Sequence, residues 1–252
     1  ISPTLTFEAI NQFASKTMKT NVVRVPMTKE IGIDLKTTGQ MVNSKTNMVY
    51  LCNPNNPTGV IMNPKELEVF CKETSKKSIV FVDEAYHEYV MDKQYRSMVS
   101  LVNEGYDVLI SRTASKVHGL AGLRVGYAIS TPKIIKRLNS YMNGSLNVVG
   151  LRGAIASYKD KRFQKFSIEK NNEGRTIVTD YLDKKGIEYL DSQTNFIFIK
   201  TGIDIKKFQP AMEKHKVLVG RPFPPYTDWC RLSIAKPEEM ESFNKGFNKE
   251  LG

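Results

Sequence analysis

The sequence predicts an α/β fold, with a mostly parallel sheet followed by a smaller C-terminal α+β domain. Short apolar runs typical of buried strands alternate with amphipathic helical segments up to about residue 158. This alternation then gives way to one long polar helical segment and several shorter elements. We therefore expect one domain over residues 1–158 and a second over 159–252, with the boundary inside a helix.

The elements of the first domain follow from apolar runs and helix-start signals. Four runs predict strands, at 47–52, 78–82, 107–111 and 124–130. Asn63 has the properties of an N-cap and Pro64 those of a first helical residue. Thr131 and Pro132 repeat this signal for a helix over 131–142. Strands and helices in this order favour a parallel sheet covered on both faces.

The second domain begins with a polar helical segment over 160–185, which Gly186 is expected to end as a C′ glycine. Further elements are then expected in the order strand, helix, strand, strand and helix, at 194–200, 204–215, 216–220, 229–235 and from Pro237. These elements predict the smaller α+β unit.

Composition excludes several classes of protein. The 252 residues are 40% hydrophobic and 25% charged, which is typical of a globular protein, and no apolar run reaches the ~20 residues of a membrane helix. The net charge is +11, but the basic residues are scattered and favour solvated helix faces over a nucleic-acid surface. The three cysteines, Cys52, Cys71 and Cys230, lie far apart without a CxxC motif, so neither a disulfide framework nor a metal site is expected. Free cysteines fit a reducing compartment, so we expect a cytoplasmic location.

Residues with chemical potential follow three of the predicted strands. They are the amide-rich turn NPNNPTG (53–59), the segment DEAY (83–86) and the segment RTASK (112–116). Each alone has a structural explanation, because Asn, Pro and Gly dominate turns and Lys116 is one of 37 basic residues. Together they are informative, because the carboxyl ends of parallel strands meet at one edge, where ligands bind.

An acid, a phenol, an amide and a lysine around one ligand suit a pyridinium cofactor. The acid keeps the ring nitrogen protonated, and the lysine condenses with an aldehyde as a Schiff base. Hydroxyl groups and an arginine nearby suit a phosphate group. The sequence therefore predicts a cofactor site at this edge of the sheet.

These motifs resemble the fold type I aminotransferases that use pyridoxal 5′-phosphate, most closely the histidinol-phosphate aminotransferase branch. The resemblance extends from about Thr6 to the end of the chain, and it rests on NPNNPTG, DEAYHEY, SKVHGLAGLRVGY, TNFIF and CRLSIAKPEEM. It implies an incomplete large cofactor-binding domain and a C-terminal small domain. It also implies a biosynthetic transaminase that acts on an amino donor and a keto acid as a homodimer, without nucleic acid or membrane.

The resemblance further implies a role for each matching residue. Lys116 is the internal aldimine lysine and proton shuttle of a ping-pong reaction, and Asp83 pairs with the pyridine nitrogen. The other residues expected to bind the cofactor are those that hydrogen-bond its 3-oxygen (Tyr86, Asn56), those that bind its phosphate (Thr113, Ser115, Arg124) and the one that stacks on its ring (Phe7, or Leu5 if the alignment shifts by two). The residues expected to contact the substrate are Arg231, which binds its α-carboxylate, Arg221, which binds a second anionic group, and Asn195, which lies near the substrate.

One departure from the family pattern concerns the N-terminus. Family members have a longer N-terminal portion, with a Gly/Ser-rich phosphate loop and a tyrosine that reaches the partner subunit, and neither is matched here. We therefore expect a truncated chain with a half-built phosphate site and weak or no activity by itself.

Three alternatives remain open from the sequence. A pyridoxal-phosphate decarboxylase or lyase, similar to threonine-phosphate decarboxylase, would share every cofactor residue. A non-catalytic fragment that only binds the cofactor is the second, and a basic nucleic-acid-binding protein is the third. Arg231 implies a carboxylate or a phosphate on the substrate and does not choose between them.

Overall fold

A computed structural model describes residues 1–251 of the chain. Its strands are β1 Ser2–Pro3, β2 Arg24–Val25, β3 Met48–Cys52, β4 Ile79–Asp83, β5 Val108–Thr113, β6 Gly126–Ile129, β7 Phe196–Lys200 and β8 Trp229–Ser233. Its α-helices are α1 Ala9–Gln12, α2 Leu35–Met41, α3 Pro64–Thr74, α4 Val99–Asn103, α5 Pro132–Ser140, α6 Val148–Lys159, α7 Lys161–Lys185, α8 Ile205–Glu213 and α9 Pro237–Leu251. A π-helical turn over Phe13–Thr17 and two 3₁₀ turns, His87–Tyr89 and Ala121–Leu123, complete the set.

The central sheet has the strand order β3-β4-β5-β6. Strands β3, β4 and β5 are parallel, which confirms a mostly parallel sheet. Strand β6, however, is antiparallel to β5, so the expectation that the run at 124–130 continues the parallel sheet is wrong. The connection between these two strands contains only a turn and a short 3₁₀ segment, which cannot cross the sheet as a helix does.

Helix α3 forms where the sequence predicts it. The Asn63 side chain accepts hydrogen bonds from the backbone N–H groups of Lys65 and Glu66, at 3.0 and 3.3 Å. Such an N-cap stabilises a helix by about 1 kcal/mol. The helix ends at Thr74, and its apolar face packs on the core of the sheet.

The second part of the chain begins with two consecutive helices. Asp160 ends α6 and caps α7, since its side chain accepts from the backbone N–H of Phe163 at 3.0 Å. Gly186 ends α7 with φ 64°, as the sequence predicts. Strands β7 and β8 then pair antiparallel.

The strand expected at 216–220 is wrong, because this segment is a loop. Lys216 has φ 61°, which is incompatible with an extended strand. The Val217 N–H donates to the Met212 carbonyl at the end of α8, and the Gly220 carbonyl accepts from the Gln209 side chain. These backbone groups are therefore not directed at a neighbouring strand.

Two apolar cores correspond to the two parts of the chain. The first lies between the sheet and α3, and the second lies among α7, α8, α9 and the β7–β8 pair. Cys71 belongs to the first core and Cys230 to the second, while Cys52 is buried at the end of β3. We propose that the boundary between the two domains lies at residues 158/159, because α6 and α7 are separated nearby, at Asp160. Of the helices within residues 1–251, none is long and apolar enough to cross a membrane.

Candidate active site

The turn that follows β3 presents Asn56 at the carboxyl edge of the sheet. The Asn55 side chain fixes the turn by donating to the Leu5 carbonyl and to Thr58 Oγ1, both at 3.0 Å. Gly59 has φ 77°, and a Cβ added there would lie 2.7 Å from the Ser192 Cβ. Only glycine fits this backbone without strain, so the Gly of the NPNNPTG motif has a steric reason.

Asn56 connects two side chains that are far apart in the sequence. Its Oδ1 accepts a hydrogen bond of 2.8 Å from Arg231 Nη1 on β8. Its Nδ2 donates to the Tyr86 hydroxyl at 3.4 Å. Asn56, in the first part of the chain, thus links Tyr86, beyond the end of β4, to Arg231 on a strand of the second part.

Tyr86 and Phe196 form an aromatic wall beside these groups. The two rings pack edge to face with centroids 5.1 Å apart. Lys116 Nζ lies 4.8 Å from the centre of the Tyr86 ring, and the Arg231 guanidinium lies 5.2 Å from that of Phe196. The lysine, the phenol, the amide and one arginine predicted from the sequence therefore meet in one place.

The Lys116 amine and the Asp83 carboxylate influence each other electrostatically. The pKa of Lys116 is lowered, first by burial and then by the charge of Arg231, while Asp83 opposes the shift. The pKa of Asp83 is raised by burial, against hydrogen bonds from Ser111, Tyr50 and the Ala85 backbone N–H and against the charge of Lys116. A lowered lysine pKa increases the fraction of neutral amine, which is the form that attacks carbonyls and accepts protons.

The three expected phosphate-binding residues lie around the β5–β6 hairpin. Thr113 pairs with Gly126 across the hairpin, and its Oγ1 accepts from the Ser115 N–H at 3.0 Å. Arg124, in the left-handed region with φ 55°, exposes its guanidinium and donates to the Ala121 carbonyl at 2.9 Å. Lys116 belongs to the same β5–β6 connection, and the charge of Arg124 contributes to lowering its pKa.

Phe7 lies near the Asn56 turn. Its ring is 43% exposed, whereas Leu5 is buried in a cluster with Phe198 and Trp229. The neighbouring Thr6 hydroxyl donates to Asn55 Oδ1 at 2.9 Å, which ties this segment to the turn. Of the two residues considered for ring stacking, Phe7 is the exposed one, and its role remains a prediction.

Arg221 and Asn195 lie differently with respect to Arg231. The guanidinium groups of Arg221 and Arg231 lie 4.3 and 5.7 Å from the centre of the same Phe223 ring. Asn195, by contrast, borders another cavity, lined also by Tyr89 and Ile234. Its role near a substrate also remains a prediction.

Comparison with known proteins identifies the family. The model of the family "Aminotransferase class I and II" matches residues 1–245. The chain belongs to the class I and II aminotransferase family. This finding confirms the resemblance on which the expected site residues depend.

Relatives of this aminotransferase chain carry a common name. It is 34% identical over 247 residues to histidinol-phosphate aminotransferase 2 of Hydrogenovibrio crunogenus, covering 96% of this chain and 66% of that protein. It is 39% identical over 188 residues to the histidinol-phosphate aminotransferase of Brevibacillus brevis, covering 73% of this chain and 50% of that protein. The chain thus spans between half and two thirds of the length of these curated relatives.

Solved structures show the same fold. A protein from Erwinia carotovora atroseptica, provisionally assigned as a histidinol-phosphate aminotransferase, has a TM-score of 0.94 at 34% identity, covering 98% of this chain and 72% of its own. The Sinorhizobium meliloti histidinol-phosphate aminotransferase in complex with pyridoxal 5′-phosphate has a TM-score of 0.84 at 24% identity, and the match covers 99% of this chain and 70% of that one. Pyridoxal phosphate is the cofactor of this aminotransferase fold.

Sequence reasoning missed three residues of the candidate site. Tyr50 and Ser111 donate hydrogen bonds to Asp83, and Phe196 contacts both Tyr86 and Arg231. Tyr50 and Ser111 have a detectable signal, because residues that alternate along neighbouring strands share a face of the sheet. Phe196 gives none, since it reads as an ordinary core residue of an apolar strand.

Proposed function

We propose that the chain carries the cofactor and substrate site of a pyridoxal-phosphate-dependent aminotransferase that acts on an anionic amino donor, similar to histidinol phosphate, and on a keto acid. The observation that carries this proposal is the convergence of Asn56, Tyr86, Lys116 and Arg231, which come from four separate segments of the chain. A homodimer and a cytoplasmic location belong to the same proposal and rest on the resemblance alone.

The donor set fits the cofactor. Asp83 would supply a carboxylate for the ring nitrogen, Tyr86 and Asn56 would supply hydrogen-bonding groups for the 3-oxygen, and Phe7 would supply an exposed aromatic ring. The groups for the phosphate are the hydroxyls of Thr113 and Ser115 and the guanidinium of Arg124. When bound, the cofactor supplies an aldehyde that condenses with amines and a ring that accepts an electron pair.

Lys116 is the group that we expect to move protons. Its lowered pKa favours the neutral amine, which can take a proton from the substrate's α-carbon and deliver it elsewhere. Burial raises the pKa of the Tyr86 hydroxyl, so this phenol stays protonated and acts as a hydrogen-bond donor. The amino donor and the keto acid use the same residues in turn, which gives ping-pong kinetics.

Arg231 is the residue that we expect to bind the substrate's anionic group. Its Nε is buried and has no hydrogen-bond partner among residues 1–251, although Nη1 bonds Asn56. A buried guanidinium with unused donors suits a carboxylate, which accepts paired charge-assisted bonds. Arg221 shares the Phe223 ring with Arg231 and adds a second positive charge, which favours substrates that carry two anionic groups.

Replacement of Arg231 by lysine in the full-length protein should lower kcat/KM for the amino donor by roughly tenfold to a hundredfold, because lysine cannot reproduce the planar paired donors. Steady-state kinetics with varied donor concentration measures this loss, which we expect mainly in KM. Arg152→Lys is the control, since Arg152 is exposed on α6. Equal kcat/KM values for Arg231→Lys and the wild type would remove Arg231 from the substrate site.

The proposed function itself is tested with the full-length protein and added pyridoxal phosphate. We expect a new visible absorbance band, and reduction with borohydride followed by peptide mass spectrometry should locate the cofactor on Lys116. A panel of anionic amino donors should then convert the cofactor to its amine form and release keto products. Release of carbon dioxide without this conversion would instead indicate a decarboxylase, and absence of any band would contradict the proposal.

A further inference from the structure

The Asp83 carboxylate is held by donors from its own strand end and from both neighbouring strands. Its Oδ1 accepts from the Ser111 hydroxyl on β5 at 2.8 Å and from the Ala85 backbone N–H at 3.2 Å. Its Oδ2 accepts from the Tyr50 hydroxyl on β3 at 3.0 Å. The parallel register accounts for the convergence, because Asp83 lies opposite Ser111 on β5 and opposite Cys52 on β3, and Tyr50, two residues before Cys52, lies on the same face of the sheet.

Tyr50 is built to act as a donor. It is 2% exposed, and its ring packs edge to face on Phe81 with centroids 5.2 Å apart. Burial raises the pKa of Tyr50 well above its ordinary value, so the hydroxyl keeps its proton. A hydroxyl that donates to a carboxylate forms a charge-assisted bond, which is stronger than a bond between neutral groups.

We propose that Tyr50, together with Ser111, is a positioning residue that keeps Asp83 as an oriented, ionised carboxylate, so that a proton shared with the cofactor's ring stays on the ring nitrogen. This inference rests on the proposed function. Tyr50 acts through Asp83, and its hydroxyl is engaged with that carboxylate.

Opposing influences act on the protonation of the Asp83 carboxylate. Burial favours the protonated acid and is the largest influence on its pKa, whereas the hydrogen bonds and Lys116 favour the carboxylate. The other titratable groups that face Asp83 are Cys52 on β3 and Tyr86 beyond β4, and burial raises the pKa of both, so both stay neutral. Without the Tyr50 hydroxyl, the carboxylate would become a stronger base and would draw the shared proton from the ring.

The first test needs no cofactor. In full-length protein labelled with ¹³C at aspartate carboxyl groups, the Asp83 signal is assigned by its loss in Asp83→Asn and is followed against pH. Tyr50→Phe should raise the proton affinity of Asp83 roughly tenfold, because it removes one hydrogen bond to a charged group. Ser111→Ala should move the titration in the same direction. Tyr95→Phe is the matched control, since Tyr95 is partly buried and its hydroxyl donates instead to the Asn53 carbonyl at 3.2 Å.

The second test uses the holoenzyme with the cofactor labelled with ¹⁵N in its ring. In the wild type the ring nitrogen should give the signal of a protonated pyridine, and in Tyr50→Phe this signal should move toward that of the neutral ring. A merely structural role would lower thermal stability without moving either titration. Wild-type titration behaviour in a folded Tyr50→Phe protein, at Asp83 or at the ring, overturns the inference. Failure of the wild type to bind the cofactor overturns the proposed function instead, and the carboxyl titration still decides whether Tyr50 stabilises the Asp83 charge.

Discussion

Replacement of Lys116 by alanine in the full-length protein should lower kcat for transamination by a factor on the order of 10⁴ or more. The residue is expected to supply both the amine that attaches the cofactor and the base that moves the substrate's proton, and the loss of a group with two such roles is severe. In the described residues, Lys116 is the lysine that lies against Tyr86, and the charges of Asp83 and Arg231 both act on it.

The measurement is single-turnover conversion of the bound cofactor by the best amino donor. Lys116→Arg keeps the positive charge but not the reactive amine, so it should be as inactive as Lys116→Ala. Lys133→Ala is the control, because that side chain is 84% exposed and lies 3.7 Å from Asp107. Full transamination by Lys116→Ala would show that the amine in this position has no part in the reaction.

Removal of the Glu84 carboxylate should lower the free energy of unfolding by about 3–5 kcal/mol, since it breaks a buried ion pair by deleting one partner. Glu84 is 1% exposed, and Arg112 donates to it through Nε at 3.1 Å and Nη2 at 2.8 Å. The Ser97 hydroxyl and the Met98 backbone N–H donate to the same carboxylate. Glu84→Ala would remove the carboxylate acceptor shared by these donors, of which, among residues 1–251, only Arg112 Nη2 keeps another acceptor, Ser97 Oγ at 2.9 Å.

Urea denaturation of Glu84→Ala and the wild type measures this difference. Glu73→Ala is the control, because its carboxylate is 67% exposed in a surface pair with Lys76 and its removal should change stability by no more than about 0.5 kcal/mol. A change at Glu84 as small as that at Glu73 would contradict the structural role. The structural role expected for Glu84 is thus distinct from that of the adjacent Asp83, which we propose for the cofactor site.

Much of the architecture was predictable because its signals are local. The three parallel strands are short apolar runs, and helix α3 after the first of them begins with the N-cap residue Asn63 and with Pro64. The carboxyl-edge rule then brought Asn56, Asp83 and Lys116 to one place without any long-range information. Family resemblance added Arg231, which no local pattern connects to the other three.

The failures depend on information that is not local. Strand β6 is antiparallel because its connection from β5 contains no crossover helix. An apolar run has the same sequence pattern in a parallel and in an antiparallel strand. The run at 216–220 has strand composition, but Lys216 adopts a positive φ as the chain turns back from α8. Tyr50 and Ser111 become recognisable only when the register of the sheet is known, because Ser111 lies opposite Asp83 and Tyr50 lies two residues before Cys52, the residue opposite Asp83 on β3.

The bond between Arg231 and Asn56 also fixes the direction of a hydrogen-bond relay. A guanidinium can only donate, so the amide oxygen must face Arg231 and the amide NH₂ must face Tyr86. The Tyr86 oxygen therefore accepts a hydrogen bond from Asn56, and the Tyr86 hydroxyl proton can be donated to a ligand on the side of Lys116. The Arg231 cation on β8 thus determines the direction in which the Tyr86 hydroxyl, beyond β4, can donate its proton. An aspartate in place of Asn56 has no NH₂ group, so it would not fix this direction.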